Sequence, residues 1–109
     1  MDDRAIPQLT EERRHRAAGV MKALGHPDRL RIVEVVVHHG EVTVGDLARL
    51  CDLEQPIVSH HAAVLRRAGI VEVRRQGTRR YHRLAHERFI KLLECIASCK
   101  PEEGDIPHE

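Results

Sequence analysis

Aromatic side chains are almost missing from this chain: Tyr81 and Phe89 are the only two, and there is no tryptophan. Its core must therefore come from leucine, valine, isoleucine and alanine, whose burial drives folding in proportion to the apolar area removed from water. No apolar run approaches the roughly 18 residues that would mark a membrane-spanning helix. The N-terminus also lacks the charged-then-apolar pattern of a secretory leader, so a cytoplasmic chain with no membrane partner is expected. The three cysteines, Cys51, Cys95 and Cys99, are an odd set without zinc-finger spacing. They fit a reducing compartment better than a disulfide framework. There is no glycine-rich phosphate loop, no HExxH and no GxSxG, so nothing beyond the presence of Cys and His points to an enzyme, and none is expected.

A large excess of one charge is missing too. The formal net charge of +1 over 109 residues argues for no nucleic acid by itself. The distribution is uneven, however. Between Ser59 and Arg83 there are seven arginines, at 66, 67, 74, 75, 79, 80 and 83, against the single acid Glu72. Pro101 to Glu109 carries four acids and neither Lys nor Arg. Segregation of this kind is an electrostatic footprint that phosphates select. The length fits one domain, and so small a core is helped by oligomerisation.

Residues 1–9 hold Pro7 and no periodic apolar pattern, and read as a mobile tail. Order is predicted to begin at Thr10, a good N-cap followed by Glu11 and Glu12, where the helix dipole favours negative charge. Ala17, Val20, Met21 and Leu24 recur at helical spacing until Gly25 and Pro27. From Asp28 to His39 the pattern is ambiguous. Leu30, Val33 and Val36 or Val37 fit a helix, yet the run Val35-Val36-Val37 suits a strand. Thr43 with Asp46 three residues later is close to a capping box, opening a short helix that stops at Asp52. A second helix starts near Gln55-Pro56, directs Val58, Ala62 and Leu65 inward, and ends at Gly69. Val71 and Val73 alternate with charge, and Gln76-Gly77-Thr78 turns the chain into a return strand to Leu84. The last helix, His86 to Lys100, aligns Phe89, Leu92 or Leu93, Ile96 and Cys99, and Pro101 stops it. Residues 101–109 read as a disordered acidic tail.

Two short helices joined by a tight turn and followed by a hairpin form a candidate helix-turn-helix with a wing. Here the sequence resembles the ArsR/SmtB family of prokaryotic transcriptional repressors, through LGHPDRLRIVEVV (24–36), EVTVGDLA (41–48) and PIVSHHAAVLRRAGIVEVRRQGTRRYHRL (56–84). The resemblance covers roughly residues 10–100 and implies a mainly α winged helix-turn-helix domain with about five helices and one β-hairpin. It also implies that the ambiguous second segment is helical. It implies a homodimer paired through its first and last helices, which binds an inverted-repeat duplex operator and represses transcription until an inducer releases it.

The resemblance places the helix from Gln55 in the major groove, making Gln55, Ser59 and His60 the candidate base readers, since these side chains can pair with base edges. His61 matches the histidine of the family's Ser-x-His-Leu motif, although Ala62 replaces the leucine. Phosphate contact and packing are as open to His61 as base contact. Arg66 and the wing arginines Arg74, Arg75, Arg79 and Arg80 are the candidate phosphate contacts. An alternative is the same fold without an inducer site, or serving as a non-DNA interaction module.

For sensing, Cys95 and Cys99 stand four residues apart, a spacing that puts two thiols on one helix face, where they could bind a soft or transition metal, be oxidised, or merely pack. Cys51 reads as a small core hydrophobe. The family's thiol-rich motif aligns with Glu41-Val42-Thr43-Val44-Gly45, which has neither cysteine. Its zinc site on the terminal helices maps onto His86, Arg88, Cys99 and Glu102, and Arg88 cannot ligate a cation. The adjacent pairs His38-His39 and His60-His61 point in different directions on a helix, which fits surface or DNA-facing residues better than a metal cage.

Overall fold

The computed structural model describes residues 8–99. Glu102 and the tails assigned to 1–9 and 101–109 therefore lie outside the described residues, apart from Gln8 and Leu9. Helix α1 (Glu11–Leu24) starts where Thr10 accepts a hydrogen bond from the Arg13 N–H at 3.1 Å. Only its last turn is deeply buried, through Ala23 and Leu24. Met21, expected on the packed stripe, is 72% exposed.

The valine-rich segment resolves as α2 (Pro27–His39), capped by the His26 ring nitrogen, which accepts from the Asp28 N–H at 3.1 Å. Ile32, Val33, Val35 and Val36 are all buried. The β-branched run is thus helical because tertiary burial outweighs its modest intrinsic preference for strands. Gly40, at φ 82°, ends the helix.

Strand β1 (Glu41–Val42) follows, which the sequence pattern did not reveal. Helix α3 (Val44–Cys51) opens on the anticipated capping box: the Asp46 N–H donates to Thr43 Oγ1, and the Thr43 N–H donates to Asp46 Oδ2, both at 3.1 Å. It closes at Asp52 in the left-handed region, φ 54°, as expected for a residue whose short polar side chain tolerates it. Helix α4 (Gln55–Arg67) has proline in its first turn and buries Val58, His61, Ala62 and Leu65. Those positions, i, i+3, i+4 and i+7, define one stripe. The opposite face is left to solvent.

Strands β2 (Val71–Gln76) and β3 (Arg79–Leu84) form the hairpin, and β3 also pairs with β1, giving an antiparallel sheet of order β1-β3-β2. The loop is the two residues Gly77-Thr78. Gly77 has φ 62° while Thr78 does not enter the positive region, the pattern of a type II′ turn whose twist matches the strands. Helix α5 (Arg88–Ser98) begins two residues later than His86 and ends one before Cys99, which is its extended C-cap.

The core draws on α2, α3, α4 and the sheet, with Ile32, Leu47, Leu65 and Ile70 among its largest fully buried side chains. None of the described helices is long and apolar enough to cross a membrane.

Candidate nucleic-acid interface

Because the inward stripe of α4 is apolar apart from His61, the polar residues between its members face out. Gln55, Ser59 and His60 are all exposed on the N-terminal half, and Arg66 and Arg67 are exposed on the last turn. The helix begins without a side-chain cap, so none of its first N–H donors is taken by the Glu54 carboxylate. His61 is the exception among the expected contacts. It is only 7% exposed and packs against His26, ring centroids 4.6 Å apart. It faces away from the exposed surface, because its position on α4 lies among Val58, Ala62 and Leu65. Burial pushes its pKa below the ordinary histidine value, reinforced by the charges of His26 and Arg29, so the ring is held neutral.

The hairpin register sorts the arginines. Pairing of Val71 with Leu84 and Val73 with His82 puts these residues on the core side of the ribbon. Two steps further out on that side, Arg75 stands directly opposite Arg80. Like charges opposite one another are destabilising. Neither forms an ion pair among the described residues, and both are exposed. The other side carries Arg74 opposite Tyr81, Gln76 opposite Arg79, and Glu72 opposite Arg83.

Arg74 is occupied within the wing. Its Nε and Nη2 donate to the two carboxylate oxygens of Glu41 at 2.7 and 2.8 Å, its Nη1 donates to Gln76 Oε1 at 3.0 Å, and its guanidinium lies over Tyr81. Those bonds hold the Glu41 carboxyl below, and the Arg74 guanidinium above, its ordinary pKa. The expectation that Arg74 grips phosphate does not match a guanidinium whose donors are so committed; it fastens the wing to β1. Arg83 is similarly engaged, with Glu72 at 2.9 Å and Glu41 at 3.6 Å. The free cations of the seven, among the described residues, are therefore Arg66, Arg67, Arg75, Arg79 and Arg80.

Among the described residues, Cys95, Cys99 and His86 are not brought into one cluster. Cys95 is exposed on α5, and Cys99 lies past the helix end, its thiol donating to the Cys95 carbonyl at 3.3 Å. The Arg88 guanidinium lies against both ring nitrogens of His86, at 3.1 and 3.0 Å. Cys51 is half-buried and burial pushes its thiol pKa up, which suits a packing residue. Among the described residues, one group of three metal-ligating side chains does converge, and it was not anticipated: His26, Asp28 and His61. The cluster was hard to read from the sequence, since it depends on how α2 packs on α4.

A family model described as a helix-turn-helix domain matches residues 24–74, which span α2, β1, α3, α4 and the first four residues of β2. The fold is similar to the homodimeric winged helix-turn-helix DNA-binding domain of a possible ArsR-family regulator from Mycobacterium bovis, solved by NMR, with TM-score 0.74 and 28% identity, over 94% of this chain and all of that one. Over 96 residues the sequence is 38% identical to a biofilm growth-associated repressor of Agrobacterium fabrum, covering 86% of this chain and 81% of that protein. The chain belongs to the ArsR family of winged helix-turn-helix transcriptional regulators. Within the family it is also 31% identical to a cadmium resistance transcriptional regulatory protein of Listeria innocua, over 78% of this chain and 71% of that one.

Proposed function

We propose that this ArsR-family chain is a sequence-specific repressor that binds an inverted-repeat operator as a homodimer and is released by a metal ion or a thiol-reactive inducer. The observation that carries the DNA reading is the Arg75–Arg80 pair: two exposed arginines directly opposite one another, with no acid paired to either among the described residues, offer two cations to a phosphate backbone. Gln55, Ser59 and His60 on the exposed half of α4 read base edges, while Arg66, Arg75, Arg79 and Arg80 grip the backbone.

Dimerisation fits the uncovered apolar surface. α5 buries none of its residues fully within one chain, and Ile90 and Ile96 stay exposed on it, with Met21 exposed on α1. A second copy laid across α1 and α5 removes that surface from water. Twofold symmetry would then present one α4 per half-site.

The test is a mobility shift of DNA from the chain's own upstream region, with random duplex as competitor. A complex of two chains per duplex that survives excess random DNA but yields to the same excess of unlabelled upstream DNA is expected; equal loss to both competitors would overturn the reading. In the same assay, a Cys95→Ser, Cys99→Ser variant that still releases with the parent's inducer would remove these thiols from sensing.

A further inference from the structure

We propose that His26, Asp28 and His61 form a site for a divalent transition cation such as zinc, lying between the N-terminus of α2 and the inner side of α4, and that filling it shifts α4 and lowers operator affinity. The regulatory half rests on α4 being the DNA-reading helix, whereas the site itself does not. One donor atom from each residue lies within 4.8 Å of the other two. His61 Nε2 is 3.9 Å from Asp28 Oδ2, too far for a hydrogen bond and close for two ligands of one ion.

The buried ring is short of partners. His61 Nδ1 is fully enclosed and has no hydrogen-bond partner among the described residues. An ion held by Nε2, the nitrogen that faces Asp28, fixes the proton on Nδ1 and leaves that atom enclosed as it is. The case for the ion is the donor set, since two histidines, one carboxylate and a water make an open zinc site. Its ligand atoms sit about 2.0–2.2 Å from the metal, so tetrahedral donors are separated by roughly 3.4 Å. Donors that now lie within 4.8 Å must therefore close by up to about 1.4 Å, which draws α4 and the start of α2 together.

Asp28, 42% exposed at its side chain, leaves a way in, and its carboxylate offsets the positive charge of Arg29 that reaches His61. His26 Nδ1 now accepts from the Asp28 N–H, so its lone pair is on that nitrogen and is the one available to an ion. Coordination exchanges one neutral hydrogen bond for one metal bond. A change at the α2 start is thus passed to α4 through His61, whose helix carries Ser59 and His60 on its other side.

The experiment titrates cobalt(II), then zinc(II), into the full chain carrying Cys95→Ser and Cys99→Ser, without DNA. One ion per chain is expected, with cobalt absorption that lacks a thiolate charge-transfer band. His26→Asn keeps a capping acceptor and Asp28→Asn keeps the side-chain size. Each should weaken cobalt at least tenfold while preserving the metal-free melting temperature. Zinc should lower operator affinity at least tenfold in the Cys95→Ser, Cys99→Ser chain, and leave it unchanged once either variant is added. No binding, binding equal in the variants, a thiolate band, or a filled site with unaltered operator affinity each overturns the proposal. Failure of the metal-free chain to bind its upstream DNA instead refutes the repressor reading, since the metal titration is read without DNA.

Discussion

Replacing Arg75 and Arg80 together with alanine separates a DNA contact from an ordinary charged surface, because only the contact predicts a flatter salt dependence of DNA binding. The strands pair these residues directly across the hairpin, and no acid is set against either among the described residues. In the free protein their repulsion is relieved by the double change, so the unfolding free energy should hold or rise by roughly 0.2–1 kcal/mol. On DNA each phosphate contact contributes about 0.9 to the slope of log affinity against log salt, so removing two flattens it by about 1.8. Over a roughly fourfold rise in salt, that is about a twelvefold smaller loss of affinity than in the parent. Fluorescence anisotropy across a salt series on operator and on random duplex reads both slopes, and urea melts read the stability. The same flattening on the two DNAs is expected, since phosphate contacts carry no sequence. An unchanged slope alongside a stabilised protein would refute the reasoning and leave the pair as surface charge. Arg74→Ala is the control: it should disturb the wing's attachment to Glu41 rather than remove a phosphate contact.

Two further outcomes follow from the geometry. Burial depresses the pKa of both His61 and His82 below the ordinary 6.5, so at acid pH the unfolded chain binds protons that the folded chain refuses. Stability should be full above about pH 6.5 and fall below it, at up to about 1.4 kcal/mol per pH unit for each histidine; His82→Gln should make the decline shallower in urea melts, and a flat profile in the parent would contradict the burial argument. Thr43→Ala removes one arm of the capping box on α3 and should cost about 0.5–2 kcal/mol in thermal melts, more than Thr78→Ala at the exposed turn.

Local chemistry made much of this fold legible. Thr10 and the Thr43–Asp46 box mark helix starts through side chain to backbone bonds that span three residues, and Asp52 marks an end by its left-handed backbone, so neighbouring letters suffice to find them. The three valines of α2 were not decidable locally, because the preference they express is overridden by burial against the rest of the core. β1 is two residues long and exists only through its pairing with β3, a long-range contact. On the site, the exposure of Gln55, Ser59 and His60 could be anticipated from helical period. The enclosure of His61 follows from the same period, since it falls in register with Val58 and Leu65, but its motif resemblance drew it toward the DNA. The arginines show a different gap. Their number was visible, while their division into bound Arg74 and Arg83, and Arg75 and Arg80 without an ion pair among the described residues, depends on register. A two-residue Gly77-Thr78 loop fixes that register, whereas the three-residue turn read from the sequence leaves it open.

Repression of a specific operator requires α4 to read bases, and a Gln55→Ala, His60→Ala variant tests that most directly, by anisotropy on the operator and on random duplex at one salt concentration. We predict that operator affinity drops by about 1–3 kcal/mol for each base-reading side chain removed, while binding to random DNA is retained. Equal losses on both DNAs, or none on either, would contradict the assignment of α4 as the reading helix.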